Sequence, residues 1–131
     1  MQLSVIILNY NVRYFLELCL LSVESALQNI DSEIIVVDNN SSDGSSEMIK
    51  TRFPNVRLIQ NNQNLGFPKG NNIGVAKSKG DYLCILNPDT VVAEDTFEKV
   101  LAFANKQNNL GIIGAKLIDG TGNFLPESKR G

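Results

Sequence analysis

Nothing in these 131 residues approaches the roughly 20-residue apolar run that a membrane-crossing helix needs. Residues 1–8 enter an apolar segment without the basic stretch that opens a signal peptide, so no secretory leader is expected. Charge of one sign is missing as well. The 12 Lys and Arg are scattered among 14 Asp and Glu, and the net charge of −2 gives no footprint for nucleic acid. Cysteine is scarce: Cys19 and Cys84 both sit inside apolar strings, where a free thiol behaves as a small buried hydrophobe. Neither a disulfide nor a metal site is expected from them. Repeats and low-complexity linkers are absent. The chain reads as cytoplasmic and without a membrane span, with peripheral association at the inner face of the membrane as the one membrane contact left open.

What is present is a core. With 43% hydrophobic and 20% charged residues, the chain suits one compact domain over residues 1–131. Strand-length apolar runs bounded by turn residues occur at Ser4–Leu8, Glu33–Val37, Val56–Gln60, Tyr82–Leu86 and Ile112–Leu117. Most lack the polar alternation of a half-exposed sheet, which predicts buried, mainly parallel strands. Between the first two, Leu16, Leu20, Val23 and Leu27 repeat at helical spacing within Tyr14–Leu27. Ser41–Ser46 offers capping side chains for a short helix over Glu47–Phe53, which Pro54 ends. A third helix is expected over Gly70–Ser78. A fourth, Glu94–Gln107, puts Phe97, Val100, Leu101 and Ala104 on one face. Alternation of this kind predicts an α/β fold, a three-layer α/β/α domain with a mostly parallel sheet and right-handed crossovers. The segment from Asp119 to Gly131 carries turn residues and little to bury, and reads as a hairpin or irregular tail.

In such a fold, ligands bind outside the carboxyl ends of the strands. The residues there are Asn9-Tyr10-Asn11, Asp38-Asn39-Asn40, Asn61-Asn62 and Asn87-Pro88-Asp89. Asn and Asp suit turns for their own sake, so each loop alone says little, and Asp38 has an alternative role as a helix cap. The Asn87-Pro88-Asp89 string likewise fits two descriptions. It is ordinary β-turn chemistry, and it is also a pair of oxygen donors suited to holding a divalent cation against a diphosphate. The stretch from Asn64 to Gly74 holds Gly66, Gly70 and Gly74 and leads into a helix whose free N–H groups suit phosphate or sugar hydroxyls. It is not a Gly-Lys-Ser phosphate loop, because Lys69 precedes Gly70 and no Ser or Thr follows, and it does not fit the dinucleotide fingerprint.

Four strings in register resemble the family 2 glycosyltransferases of GT-A, Rossmann-like fold: Ser4–Asn11, Val36–Ser45, Asn64–Phe67 with Gly70-Asn71-Asn72, and Leu86–Thr90. The Asn-Pro-Asp turn in place of an Asp-x-Asp motif is similar to the rhamnosyltransferase-like enzymes of bacterial cell-surface polysaccharide synthesis. The resemblance covers essentially the whole chain. It implies a nucleoside-diphosphate sugar donor, a glycan or lipid-linked acceptor, and Mg²⁺ or Mn²⁺. It also implies roles. Asn9, Tyr10 and Asn11 would line the base pocket, and Asp38 with Asn40 would bind base or ribose. Gly66, Asn71 and Asn72 would approach the sugar-diphosphate. Asn87 would make a ribose or water-mediated metal contact, and Asp89 would ligate the metal. Asn71 stands where many relatives carry Arg, which leaves less positive charge for the diphosphate and argues against a metal-independent variant.

Enzymes of this family transfer the sugar with inversion, a carboxylate taking the acceptor's proton while the cation stabilises the departing diphosphate. The resemblance puts that carboxylate beyond Gly131. Asp119 and Glu127 sit in contexts unlike the base motif, and neither is assigned. The expectation is thus the donor-binding part of a truncated GT-A domain, inactive alone, whose uncovered apolar face invites self-association. Two alternatives share parts of the pattern. A non-catalytic nucleotide-sugar-binding module would use the same residues. A sugar nucleotidyltransferase expects a basic Gly-rich loop after the first strand, where this chain has Asn9-Tyr10-Asn11-Val12.

Overall fold

The computed structural model describes residues 1–106. By its internal contacts the chain divides into two compact units, Met1–Lys99 and Val100–Gly131, and the division falls inside a single helix.

Four strands form the sheet of the first unit: β1 (Leu3–Asn9), β2 (Ser32–Asp38), β3 (Arg57–Gln60) and β4 (Tyr82–Leu86). All pair in parallel, in the order β3-β2-β1-β4. Three helices link them: α1 (Arg13–Ala26), α2 (Ser45–Arg52) and α3 (Phe67–Lys77). The central strands are apolar on both faces because both faces are covered. Val5, Ile6 and Ile7 of β1 and Ile35, Val36 and Val37 of β2 are wholly inaccessible to water.

On one face Ile6, Ile35 and Val37, with Leu8 and Ile59, pack against Val75 of α3. The helix comes this close because two glycines face the sheet. A Cβ on Gly74 would stand 2.6 Å from Ile6 Cγ2 and 3.1 Å from Val37 Cγ2, and one on Gly70 would run into the Leu8 side chain. Strand alternation turns Val5, Ile7 and Val36 to the other face. There α1 and α2 pack on each other, α2 also touches β3, and the α1 thiol of Cys19 lies near that of Cys84 on β4. The stripe expected on α1 is the one buried: Leu16, Leu20 and Val23 are inaccessible and Leu27, just past the helix, is buried.

At the amino ends of the strands, Glu33 ties four segments together. Its carboxylate accepts from the Ser4 hydroxyl (2.7 Å), the Lys79 N–H (2.7 Å) and Arg57 (2.9 Å), and Arg57 also donates to the Lys77 carbonyl at 2.8 Å. Burial pushes the Glu33 carboxyl up, but the three donors outweigh it and hold it below the usual carboxylate range.

Element by element, the differences from the sequence expectation are local. Helix α3 begins at Phe67 rather than Gly70, because Pro68 fits a first helical turn, where no N–H is needed, and Gly66 takes the positive φ of 83° that turns the chain into it. Helix α2 begins at Ser45 on a Gly44 N-cap with no side-chain cap, while Asp43 accepts the Ser45 N–H at 3.0 Å. The last described helix, α4 (Thr96–Asn105), buries Phe97, Leu101 and Ala104 and half-buries Val100. The expected helix end at Gln107, the strand Ile112–Leu117 and the tail from Asp119 to Gly131 lie outside the described residues. Among the described residues no helix is long and apolar enough to cross a membrane.

Candidate functional site

The chain runs β1, β2, β3 in one direction across the sheet and then jumps to the far side of β1 for β4. That makes a topological switch point between β1 and β4, and crevices open outside the carboxyl ends there. Asn9-Tyr10-Asn11 leaves β1 on one side of it, and Asn87-Pro88-Asp89 leaves β4 on the other.

The loops after β1 and β2 are stitched to each other. Asn9 is fully buried, and its amide donates to Asp38 Oδ1 at 2.8 Å and to Ser41 Oγ at 3.3 Å. Asp38, only 2% exposed, takes the Ser41 N–H on its other oxygen at 2.9 Å, so it organises its own loop and caps no helix. Asn11 and Asn40 adopt left-handed φ of 53° and 64°, which Asn tolerates better than most residues. The strained Asn11 is held from both ends: its N–H donates to Ser41 Oγ at 2.9 Å, and its Oδ1 accepts the Ser42 N–H at 2.8 Å. Arg13 N–H, at the start of α1, donates to Asp43 Oδ2 at 2.9 Å, so the helix is capped from the loop after β2. Burial raises the Asp43 carboxyl, but the hydrogen bonds from Ser45 and Arg13 outweigh it and leave the pKa lowered. Beside this junction Asn11, Val12, Arg13, Tyr14, Phe15 and Asp43 line an open cavity of about 250 Å³.

The loops after β2 and β3 meet the start of α3 through amides. Asn61 donates to Asn39 Oδ1 at 2.8 Å, and Asn39 donates to the Gly66 carbonyl at 3.3 Å. Next to Gly70, Asn71 is 5% exposed, and neither its Nδ2 nor its Oδ1 has a partner; Asn9 Oδ1 is likewise buried and unpartnered. Buried polar groups are nearly always satisfied, so these three atoms stand out among the described residues. Across the switch point, Asn87 and Asp89 are exposed, and the turn closes through Thr90 N–H on the Asn87 carbonyl at 3.1 Å. Behind it lies Cys19, whose thiol is pushed up to about 12, first by burial and then by the Asp89 carboxylate, and so stays a neutral donor.

Residues 4–130 match the family model described as glycosyl transferase family 2. The chain belongs to glycosyl transferase family 2.

Relatives in this family include an uncharacterized glycosyltransferase of Haemophilus influenzae, 36% identical across 82% of this chain and 44% of its own length. Another is the N-acetylglucosaminyl-diphospho-decaprenol L-rhamnosyltransferase of Mycobacterium tuberculosis, 26% identical across 98% of this chain and 45% of its own. The chain therefore spans less than half the length of these relatives. Two solved structures share the fold. S. aureus TarS 1–349 in complex with UDP-GlcNAc superposes with a TM-score of 0.72 at 24% identity, over 86% of this chain and 37% of that one. A Pyrobaculum calidifontis mannosyltransferase with GDP-Man and Mn²⁺ gives 0.67 at 23%, over 73% and 30%. The four parallel strands are thus those of a GT-A glycosyltransferase fold.

For the family's divalent cation, the donor set on this chain is one exposed carboxylate, Asp89, with the Asn87 amide two residues before it. No cluster of three or more metal-ligating side chains exists among the described residues, nor does Asp89 carry an ion pair with any of them. Such a site suits a hard cation that keeps waters and is shared with a substrate diphosphate, as Mg²⁺ does.

All the expected site residues except Asn72 are accounted for on this rim by neighbours or by strand end; Asn72, the residue after Asn71, is exposed on α3. Asn39 and Asn61 were expected on the rim and Ser41 and Asp43 in a capping stretch; what sequence reasoning missed is that these four side chains hold the loops together. The string of polar residues after β2 was the available signal, but it did not say which of them point inward.

Proposed function

We propose that this chain is the donor-binding part of an inverting glycosyltransferase that moves a sugar from a nucleoside diphosphate to a glycan or lipid-linked acceptor hydroxyl in cell-surface or polysaccharide synthesis. The observation that carries it is the β1/β4 switch point, with the exposed Asn87 and Asp89 leaving β4 on one side and the buried Asn9 at the end of β1 on the other. Donor complexes of UDP-GlcNAc and GDP-Man on the same fold support the choice of ligand class. Residues 1–131 form one part of a single GT-A domain in this reading, and the family match running from 4 to 130 across the division at Lys99 supports that.

The cleft beside Asn11 suits the base, with Asn9, Tyr10 and Asn11 shaping it through backbone and ring. Asp38 and Asn40 serve the nucleoside, Asp38 mainly by fixing its loop. Gly66, Asn71 and Asn72 approach the diphosphate near the free N–H groups of α3. Asn87 and Asp89 hold Mg²⁺ or Mn²⁺, which when bound offsets the charge developing on the departing diphosphate. The acceptor's proton goes to a carboxylate outside residues 1–131. Two free thiols, Cys19 and Cys84, suit a reducing, cytoplasmic setting. Exposed Leu83 (45%) and Ile85 (53%) on β4 are the apolar surface through which isolated chains would self-associate.

Calorimetric titration of UDP, dTDP and GDP, with and without Mn²⁺, tests the reading. One nucleotide is expected to bind, more tightly with Mn²⁺, and Asp89→Ala is expected to remove the Mn²⁺ effect without lowering the melting temperature. No binding of any of the three to a folded sample would overturn it.

A further inference from the structure

The turn that carries Asp89 is exposed on its outer side, yet its backbone is held from behind by α1. Cys19 and Ser22 lie one helical turn apart on that helix and point at the same segment. The Cys19 thiol, wholly inaccessible to water, donates to the Asn87 carbonyl at 3.8 Å, the same oxygen that takes the turn-closing Thr90 N–H. Ser22 donates its hydroxyl proton to the Cys19 carbonyl at 2.8 Å, which turns a lone pair outward to accept the Val92 N–H at 3.1 Å. The segment from Asn87 to Val92 is thus gripped at its first and last residues, and Pro88 stiffens what lies between.

We propose that Cys19 and Ser22 are positioning residues for the cation site: by fixing the backbone at Asn87 and Val92 they set where Asn87 and Asp89 present their oxygens. The inference rests on the donor-site reading above and adds the residues that preorganise it. Octahedral cations tolerate little displacement of their oxygen ligands, and among the described residues no third ligand stands beside Asn87 and Asp89 to correct an error. Partners that orient metal ligands typically change metal affinity about 10- to 100-fold when lost. Cys19 is inaccessible to water and the Ser22 hydroxyl is spent on Cys19 and Val92, so nucleotide affinity without metal is not expected to change.

The test uses the 131-residue chain with whichever of UDP, dTDP or GDP it binds. Mn²⁺ affinity of the nucleotide-loaded chain is measured for wild type, Ser22→Ala, Cys19→Val, Cys19→Ser and Asp89→Ala, and nucleotide affinity is measured in EDTA. Ser22→Ala and Cys19→Val are each expected to weaken Mn²⁺ about tenfold with nucleotide affinity in EDTA unchanged, and Cys19→Ser, which keeps a donor, is expected to recover most of the loss. Wild-type Mn²⁺ affinity in a folded Ser22→Ala chain overturns the proposal, whatever Cys19→Val does to folding. So does equal weakening of nucleotide binding in EDTA, which would mean general loosening of the rim. If Asp89→Ala also leaves Mn²⁺ affinity untouched, the donor-site reading fails with it; if Asp89→Ala alone abolishes the response, only the role of α1 fails.

Discussion

Asn71 sits in the first turns of α3 with both polar atoms of its amide buried and unpartnered. A group left in that state costs stability, on the order of 1–3 kcal/mol. A residue kept for folding alone would not be an amide there, since Ala is the better helix former and brings no polar atoms. Asn71→Ala is therefore expected to leave the melting temperature unchanged or raised while weakening nucleotide binding about tenfold, or roughly 1.4 kcal/mol. A melting curve and a nucleotide titration on the same sample check both halves. A variant that melts early and binds normally would make Asn71 a packing residue. Asp38 differs in kind. Both of its oxygens are spent on Asn9 and Ser41, so its contribution to binding passes through the shape of its loop.

At the scale of elements, the placement of α3 matters most, because it carries its free N–H groups and Asn71 to the carboxyl rim. Gly70 and Gly74 let it lie directly on Leu8, Ile6 and Val37. Ile6 is fully buried and β-branched, so it has no room to yield to an added methyl at position 74. Overpacking costs about 1–3 kcal/mol, against a gain of about 1 kcal/mol in helix propensity when Gly becomes Ala. Gly74→Ala is expected to lower the urea midpoint at unchanged slope, by a net loss of up to about 2 kcal/mol. A midpoint equal to wild type would mean that α3 has slack against the sheet. Helix α1 has a second duty besides covering its face: it is capped by Asp43 and bonded to Asn87 and Val92, so it spans both sides of the switch point.

For the molecule as a whole, the amino edge of the sheet is the clamp and the carboxyl edge carries the candidate site. Glu33 joins β1, β2, β3 and the segment entering β4 through Ser4, Arg57 and the Lys79 N–H. Its folded pKa is lowered, so the unfolded chain binds the proton more readily. The stability it contributes is complete above the ordinary Glu value of about 4.3 and drains as pH falls through the folded value. Asp43, also lowered, adds to the same acid limb from the opposite edge. Glu33→Gln is expected to lower stability at pH 7 and to flatten the fall between pH 5 and pH 3, measured by urea midpoints across that range. Parallel acid limbs for the two proteins would assign the limb to other carboxylates. Family membership belongs to this scale too, since the match runs from residue 4 to 130 while the chain spans less than half of its longer relatives.

The sequence by itself determined the element order, the parallel character of the strands and the loops that share a rim, because hydrophobic period and turn residues are local properties. It also determined the family, through four strings in register. Its errors were at helix starts, where Pro68 and Gly66 begin α3 three residues early and Gly44 rather than a serine precedes α2, and in the burial of β4, whose Leu83 and Ile85 are exposed. Only the tertiary structure decided which polar residues on the rim are spent and which are free. Asn9 donates to Asp38 across 29 positions, Asn61 to Asn39 across 22, and Cys19 reaches Asn87 across 68. No local pattern encodes such pairings, because a side chain's partner is set by where strands and helices come to lie. The orphaned state of Asn71 is legible only once every other partner has been placed.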